Sequence, residues 1–185
     1  MLTRRQFIKT GIAGAATLAV ARALYGPFER EPQWQSAGAY PYRVLSAASR
    51  NMLAALAAVM LKGALPLESA AHAAAIQSVV EGIDKAVAAL QPAVQEELQQ
   101  LFSLLNFPVT RRLLAGVSQP WLKADAHEIE QFVANWRESR FQLLRSGFHG
   151  LHMLVMAAWY GSPQSWDKLG YSGPPAHVLA AQAAN

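Results

Sequence analysis

Apolar side chains recur every three or four positions through much of the chain, a spacing that places them on one face of an α-helix. The first such stripe runs from residue 42 or 43 to residue 61, and Gly63 supplies a C-terminal stop. A second stripe covers residues 69–90. A third covers residues 92–106, where Pro92 suits the first turn of a helix. The pattern therefore predicts three consecutive helices.

The chain then continues with shorter helical segments. Residues 109–115 predict a short helix that Gly116 stops. Asp125 and Glu128 have the spacing of a capping box, in which two side chains satisfy free N–H groups at a helix start. We therefore expect a long helical segment to open after Asp125.

Two glycines fall inside that long segment. We expect Gly147 and Gly150 to interrupt it before a last buried helix that reaches Tyr160. No window alternates apolar and polar residues in the manner of a β-strand. The predicted fold class is all-α, with residues 43–185 forming a single compact domain of five to six helices.

The N-terminus has the plan of a signal peptide. Arg4, Arg5 and Lys9 precede an uncharged run, residues 10–21, which is too short to cross the roughly 30 Å hydrocarbon layer of a membrane. With Phe7, these residues resemble the twin-arginine (Tat) export signal, whose pattern is Ser/Thr, Arg, Arg, any residue, Phe, an aliphatic residue and Lys. We expect recognition by the Tat translocase and export to the periplasm.

Cleavage of this signal changes the charge of the chain. Ala21 and Ala23 form a small-x-small cleavage site, so we expect residues 1–23 to be removed and residues 24–42 to form an extended N-terminal arm. Removal takes away four of the 16 basic residues and leaves 12 against 12 acidic ones. The basic pI of the whole chain therefore belongs to the signal and gives no argument for a nucleic-acid partner.

Several kinds of chemistry are excluded by composition and motif. The chain has no cysteine, which excludes disulfides, thiolate metal sites, iron–sulfur clusters and haem attached through Cys-x-x-Cys-His. No serine lies in a Gly-x-Ser-x-Gly elbow, and no Gly-x-Gly-x-x-Gly or phosphate-binding loop is present. We expect no catalytic residue and no cofactor bound by this chain.

Two histidines remain as candidate ligands. His149 and His152 are one helical turn apart, so both imidazoles can face one metal ion or haem iron. Two ligands do not make a site, and no carboxylate lies between Glu138 and Asp167. Packed or interface histidines are therefore favoured. The alternatives are an independent periplasmic helical protein that binds a metal ion or ligand through His149 and His152, or a lipid-binding helical domain with an internal pocket.

The C-terminal segment "WYGSPQSWDKLGYSGPP", residues 159–175, contains three glycines, three prolines and four aromatic residues. Proline and glycine disfavour a regular helix, so we expect an irregular tail. Its large aromatic side chains suit either a rigid docking loop for a partner or a lid over the domain's own core.

The same segment resembles the C-terminal pattern of the gluconate 2-dehydrogenase subunit 3 family: an aromatic pair, Gly-x-Pro, a Trp three residues later, then Leu-Gly-Tyr-x-Gly-Pro. The matching residues are Trp159, Tyr160, Gly161, Pro163, Trp166, Leu169, Gly170, Tyr171, Gly173 and Pro174. Members of that family are Tat-signalled small subunits of membrane-associated flavin dehydrogenases, which agrees with Arg4 and Arg5.

This resemblance implies a non-catalytic subunit that stabilises a glucose-methanol-choline (GMC) type FAD-dependent dehydrogenase and carries it through the Tat pathway. FAD is then expected in the partner, and a multi-haem cytochrome c subunit can complete the complex and associate it with the inner membrane. The expected partner interface lies in the tail and comprises Trp159, Tyr160, Pro163, Trp166, Leu169, Gly170, Tyr171 and Pro174.

Overall fold

The computed structural model describes residues 40–173, and this part of the chain is helical, without a strand. The predicted signal, its cleavage site, residues 24–39 of the arm, and Pro174 lie outside the described residues. The helices are α1 (Ala47–Met60), α2 (Ser69–Ala88), α3 (Pro92–Asn106), α4 (Pro108–Thr110), α5 (Ala126–Arg137), α6 (Gln142–Tyr160) and α7 (Pro163–Leu169), with a π-helical turn at Arg111–Ala115 after α4. The all-α fold class is confirmed.

Helix α1 lies at the centre of the fold. It packs against α2, α3, α5 and α6, and every residue from Asn51 to Ala57 is buried. Alanines at three of these positions let the surrounding helices approach closely, while Met52, Leu53 and Leu56 are fully enclosed. Burial of such a side chain contributes about 1.5–3 kcal/mol. The core is therefore built around α1.

Aromatic side chains fix α5 against the segment before it. The Phe132 ring lies 5.8 Å from the Trp121 ring and 4.8 Å from the Trp136 ring. The indole N–H of Trp121 donates to the carbonyl of Leu105, and the indole N–H of Trp136 donates to the carbonyl of Leu114. Both buried indoles thus have a partner, which joins α5 to α3 and to the π-helical turn.

The predicted interruption at Gly147 and Gly150 is wrong. Helix α6 runs unbroken from Gln142 to Tyr160, and the break comes earlier, after Arg137. A Cβ atom at position 147 would lie 2.6 Å from the Trp136 ring, so Gly147 allows α5 to approach α6. A helical glycine costs about 1 kcal/mol relative to alanine, less than the burial of the neighbouring Phe148 and Leu151 contributes.

Three further predictions differ from the structure. Helix α1 begins at Ala47, several residues later than expected. The capping box before α5 forms in part: Asp125 accepts from the backbone N–H of His127, whereas Glu128 accepts from the hydroxyl of Ser118. The tail is not irregular throughout, because α7 occupies Pro163–Leu169, with proline at its first residue, where no N–H is needed.

Candidate functional site

The structure divides the predicted tail residues between the core and the surface. The Trp159 side chain is 3% exposed and belongs to the core of this domain. Tyr160 and Tyr171 are about half exposed, at 52% and 49%, and Pro163 is exposed as well. The lid interpretation therefore holds for Trp159, while contact of the exposed residues with a partner stays a prediction.

Tyr160, Trp166 and Tyr171 form what we call the C-terminal aromatic cluster. The Trp166 indole N–H donates to the Tyr160 carbonyl at 2.8 Å, and the Trp166 and Tyr171 rings meet edge to face at 5.4 Å. The backbone N–H of Tyr171 donates to the Trp166 carbonyl. Gly173 has a φ of 91°, and a Cβ there would lie 2.8 Å from the Trp166 ring. The cluster is therefore held in one arrangement by local contacts.

The solvent-facing side of α6 leads to this cluster. We call it the outer face of α6; its exposed residues, three or four positions apart, are Ser146, His149, Met153, Ala157 and Tyr160. Met153 is 64% exposed. The helix contains one Lys, Arg, Asp or Glu residue, Arg145, whose guanidinium donates to the Ser139 carbonyl. The outer face thus presents no Lys, Arg, Asp or Glu side chain along a 19-residue helix.

The two candidate histidines line a groove of about 450 Å³ between the end of α1, α5 and α6. We call it the histidine groove. Its apolar floor comprises Val59, Met60, Val133, Ala134 and Phe148, and its polar rim comprises Glu130, Arg137, His149 and His152. The imidazole rings of His149 and His152 lie 5.5 and 5.4 Å from the Phe148 ring. The predicted pair therefore shares one concave site.

Ion pairs set the charge of the rim. The Lys62 ammonium lies 2.8 Å from the Glu130 carboxylate, and this hydrogen bond lowers the pKa of Glu130 and raises the pKa of Lys62. Arg137 pairs with Glu138 at 2.8 Å, and both side chains are largely exposed to water. Such exposed pairs contribute about 0–1 kcal/mol, so they are easily rearranged.

The described residues contain no complete metal site. Within residues 40–173, no three His, Asp or Glu side chains lie close enough together to hold a metal ion. His149 and His152 therefore have no third protein ligand in this part of the chain, and a structural zinc site needs about four.

Sequence reasoning did not identify the buried carboxylate of Asp84 as a structural contact. Asp84 on α2 is completely buried, and its carboxylate accepts from the backbone N–H groups of Arg43, Val44 and Leu45 at 2.9, 3.1 and 2.9 Å, and from the Tyr40 hydroxyl at 3.1 Å. These bonds hold residues 43–45 outside the helix, which explains why α1 begins later than predicted. We call this contact the Asp84 anchor.

Burial by itself would raise the pKa of Asp84, but the three backbone N–H donors and Tyr40 outweigh it and lower the pKa below its ordinary value. Burial and the neighbouring carboxylate raise the pKa of the Tyr40 hydroxyl. A signal for the anchor was present in the sequence: Asp84 lies on the apolar stripe of Val80, Ile83 and Val87, where an aspartate must have partners if it is buried.

Comparison with known proteins identifies the N-terminus. Residues 1–21 match the TAT (twin-arginine translocation) pathway signal sequence, a range that contains Arg4, Arg5, Phe7 and Lys9. The predicted Tat signal is confirmed, and it directs export across the cytoplasmic membrane to the periplasm. No curated protein and no solved structure matches the chain. None of the helices within residues 40–173 has the length and apolar character needed to span a bilayer.

Proposed function

We propose that this chain is a non-catalytic accessory subunit of a flavin-dependent dehydrogenase complex. It binds a folded, GMC-type, FAD-dependent catalytic subunit, stabilises it and carries it through the Tat pathway. The proposal is supported by the Tat signal at residues 1–21, by the resemblance of the tail to the gluconate 2-dehydrogenase subunit 3 family, and by the exposed surface of α6.

The observation that carries the proposal is the outer face of α6, which lacks Lys, Arg, Asp and Glu, together with the C-terminal aromatic cluster at the end of this helix. Interface cores are depleted of charged residues and enriched in Met, Tyr and Trp. The outer face lacks Lys, Arg, Asp and Glu and presents Met153 and Tyr160, which are more than half exposed, and Tyr171 adds a third such side chain beyond the helix. A protein partner would cover these side chains and remove their apolar surface from water.

Binding explains both roles of the subunit. A protein that binds the folded form of its partner stabilises that form by mass action, by an amount that grows with the concentration of free subunit relative to its Kd. The Tat pathway exports folded cargo, so a catalytic subunit without a signal of its own can leave the cytoplasm when bound to this chain. FAD belongs to that partner, and a multi-haem cytochrome c subunit would receive the electrons and associate the complex with the inner membrane.

The test is affinity capture of this protein from its native host, with mass spectrometry and a visible absorption spectrum of the eluate. We expect a GMC-type flavoprotein near 1:1 stoichiometry, with flavin absorption bands. A colourless eluate that contains this chain alone would contradict the proposal. Capture of the flavoprotein with a c-type haem spectrum would extend the complex to a cytochrome subunit.

A second candidate, an independent periplasmic ligand-binding protein, is favoured by one observation, the histidine groove. The groove contains His149 and His152, the two residues proposed to bind the metal ion or ligand in that alternative. Metal binding lacks a third ligand within the described part of the chain. An organic ligand in the groove is compatible with both functions.

A further inference from the structure

Two concave sites lie along the junction between α1 and α5. The larger is the histidine groove, of about 450 Å³, and the smaller is an apolar cavity of about 260 Å³, and both open to solvent. Val59 is a lining residue of both sites, and no other described residue is shared by them. Together they have the size of sites for small molecules, roughly 300–1,000 Å³.

The two sites differ in chemistry. No charged or hydrogen-bonding side chain except the Trp121 indole lines the smaller cavity, and that N–H already donates to the Leu105 carbonyl. Its walls include Ala54, Ala58, Ile76, Leu122 and Ile129. The histidine groove continues the apolar surface along its floor but ends in a polar rim. One molecule that fits both sites must be apolar along most of its length and polar at one end.

The side chains of the rim favour a ligand whose polar end is negatively charged. Glu130 is paired with Lys62, and its side chain is 37% exposed against 57% for Arg137, so the carboxylate is the less accessible of the two charged groups on the rim. The remaining rim side chains are Arg137, His149 and His152, which supply N–H donors. Arg137 is held by an exposed pair with Glu138, a weak contact that a ligand can replace. A guanidinium binds a carboxylate through two parallel hydrogen bonds.

We propose that the junction between α1 and α5 binds a single-chain amphiphilic carboxylate. The apolar tail lies in the smaller cavity and across the groove floor at Val59, and the carboxylate lies at Arg137, His149 and His152. This site shares His149 with the outer face of α6 but contains no residue of the C-terminal aromatic cluster, and its existence does not depend on a flavoprotein partner.

Calorimetric titration of the purified chain, without its signal and without partner proteins, tests the site. The probes are dodecanoate and octanoate, with dodecylammonium as the same tail carrying the opposite charge, all below their micelle concentrations. We expect saturable 1:1 binding of dodecanoate and an affinity that falls about fourfold for each buried methylene removed. We expect dodecylammonium to bind at least tenfold more weakly. Absence of saturable binding, or equal binding of the two charged probes, would overturn the proposal.

Variants locate the bound molecule. The double substitution Arg137→Gln and His152→Gln should lower dodecanoate affinity at least tenfold, whereas His72→Gln, on α2 and outside the groove, should leave it unchanged. Ala58→Leu should fill the smaller cavity and abolish the advantage of dodecanoate over octanoate. Unchanged binding in the rim variant would overturn the proposed placement of the carboxylate. The series of unmodified probes tests the proposal on the unaltered protein if a variant fails to fold.

Discussion

At the scale of single residues, Asp84 has the largest predicted effect on stability. Its carboxylate is buried and accepts hydrogen bonds from three backbone N–H groups and one hydroxyl. A hydrogen bond to a charged group contributes about 1.5–3 kcal/mol to stability. Asp84→Asn replaces one acceptor oxygen by an NH₂ group that faces backbone donors. We expect it to lower the free energy of unfolding by about 2–4 kcal/mol, measured by urea denaturation.

Asp125→Asn is the matched control, because Asp125 is exposed and asparagine is an equally good N-cap. It should change the free energy of unfolding by less than about 0.5 kcal/mol. Equal effects of the two substitutions would show that the anchor adds nothing beyond an ordinary helix cap.

The Asp84 anchor also has a pH dependence with a defined sign. The folded-state pKa of Asp84 lies below its ordinary value of 3.8, so the ionised carboxylate favours the folded state. This stabilisation is complete above about pH 5 and is lost as the pH falls through the ordinary value and then the folded pKa. The unaltered protein should therefore lose more stability between pH 5 and pH 2 than Asp84→Asn does, a difference that denaturation at each pH measures.

At the scale of elements, the sequence predicted which segments form helices better than it predicted which segments contact each other. Helices α2 and α3 begin at the predicted residues, since their starts depend on local signals such as Pro92. The break after α5 and the late start of α1 were missed, because Trp136 against Gly147 and Asp84 against residues 43–45 are contacts between parts of the chain that periodicity does not relate. The histidine groove was missed for the same reason: adjacent turns suggested the His149 and His152 pair, but Arg137 and Glu130 come from another helix.

Charges placed on the outer face of α6 should prevent the proposed partner from binding there. Met153→Asp with Tyr160→Asp places two charges on exposed positions, so the free energy of unfolding should change by less than about 1 kcal/mol. Capture of the flavoprotein should fall at least tenfold, because a docked partner would bury both unpaired charges. Quantitative capture from host extract measures the loss.

The control places the same charges on another helix. Gln99→Asp with Gln100→Asp lies on exposed positions of α3 and should leave capture unchanged. If both variants, or neither, lose the flavoprotein while remaining folded, the outer face is not the docking surface.

At the scale of the whole molecule, the Tat signal determines where this chain, and with it the proposed complex, is delivered. Arg4→Lys with Arg5→Lys should leave this chain and its flavoprotein in the cytoplasm, since the partner is proposed to lack a signal of its own. Cell fractionation with flavoprotein activity and immunodetection measures the distribution. Arg22→Lys is the control, because it preserves charge in the same segment outside the paired arginines. Periplasmic flavoprotein in the double variant would contradict the carrier role while leaving the accessory role open.

The Asp84 anchor limits how far the signal can lie from the folded domain. It fixes residues 40–45 to α2, and seventeen peptide units connect Tyr40 to Ala23 at the end of the predicted signal. Seventeen residues span at most about 60 Å when fully extended. A translocase that holds Ala23 therefore lies within about 60 Å of the anchored end of the folded domain, which sets the largest separation at which the proposed complex can be engaged.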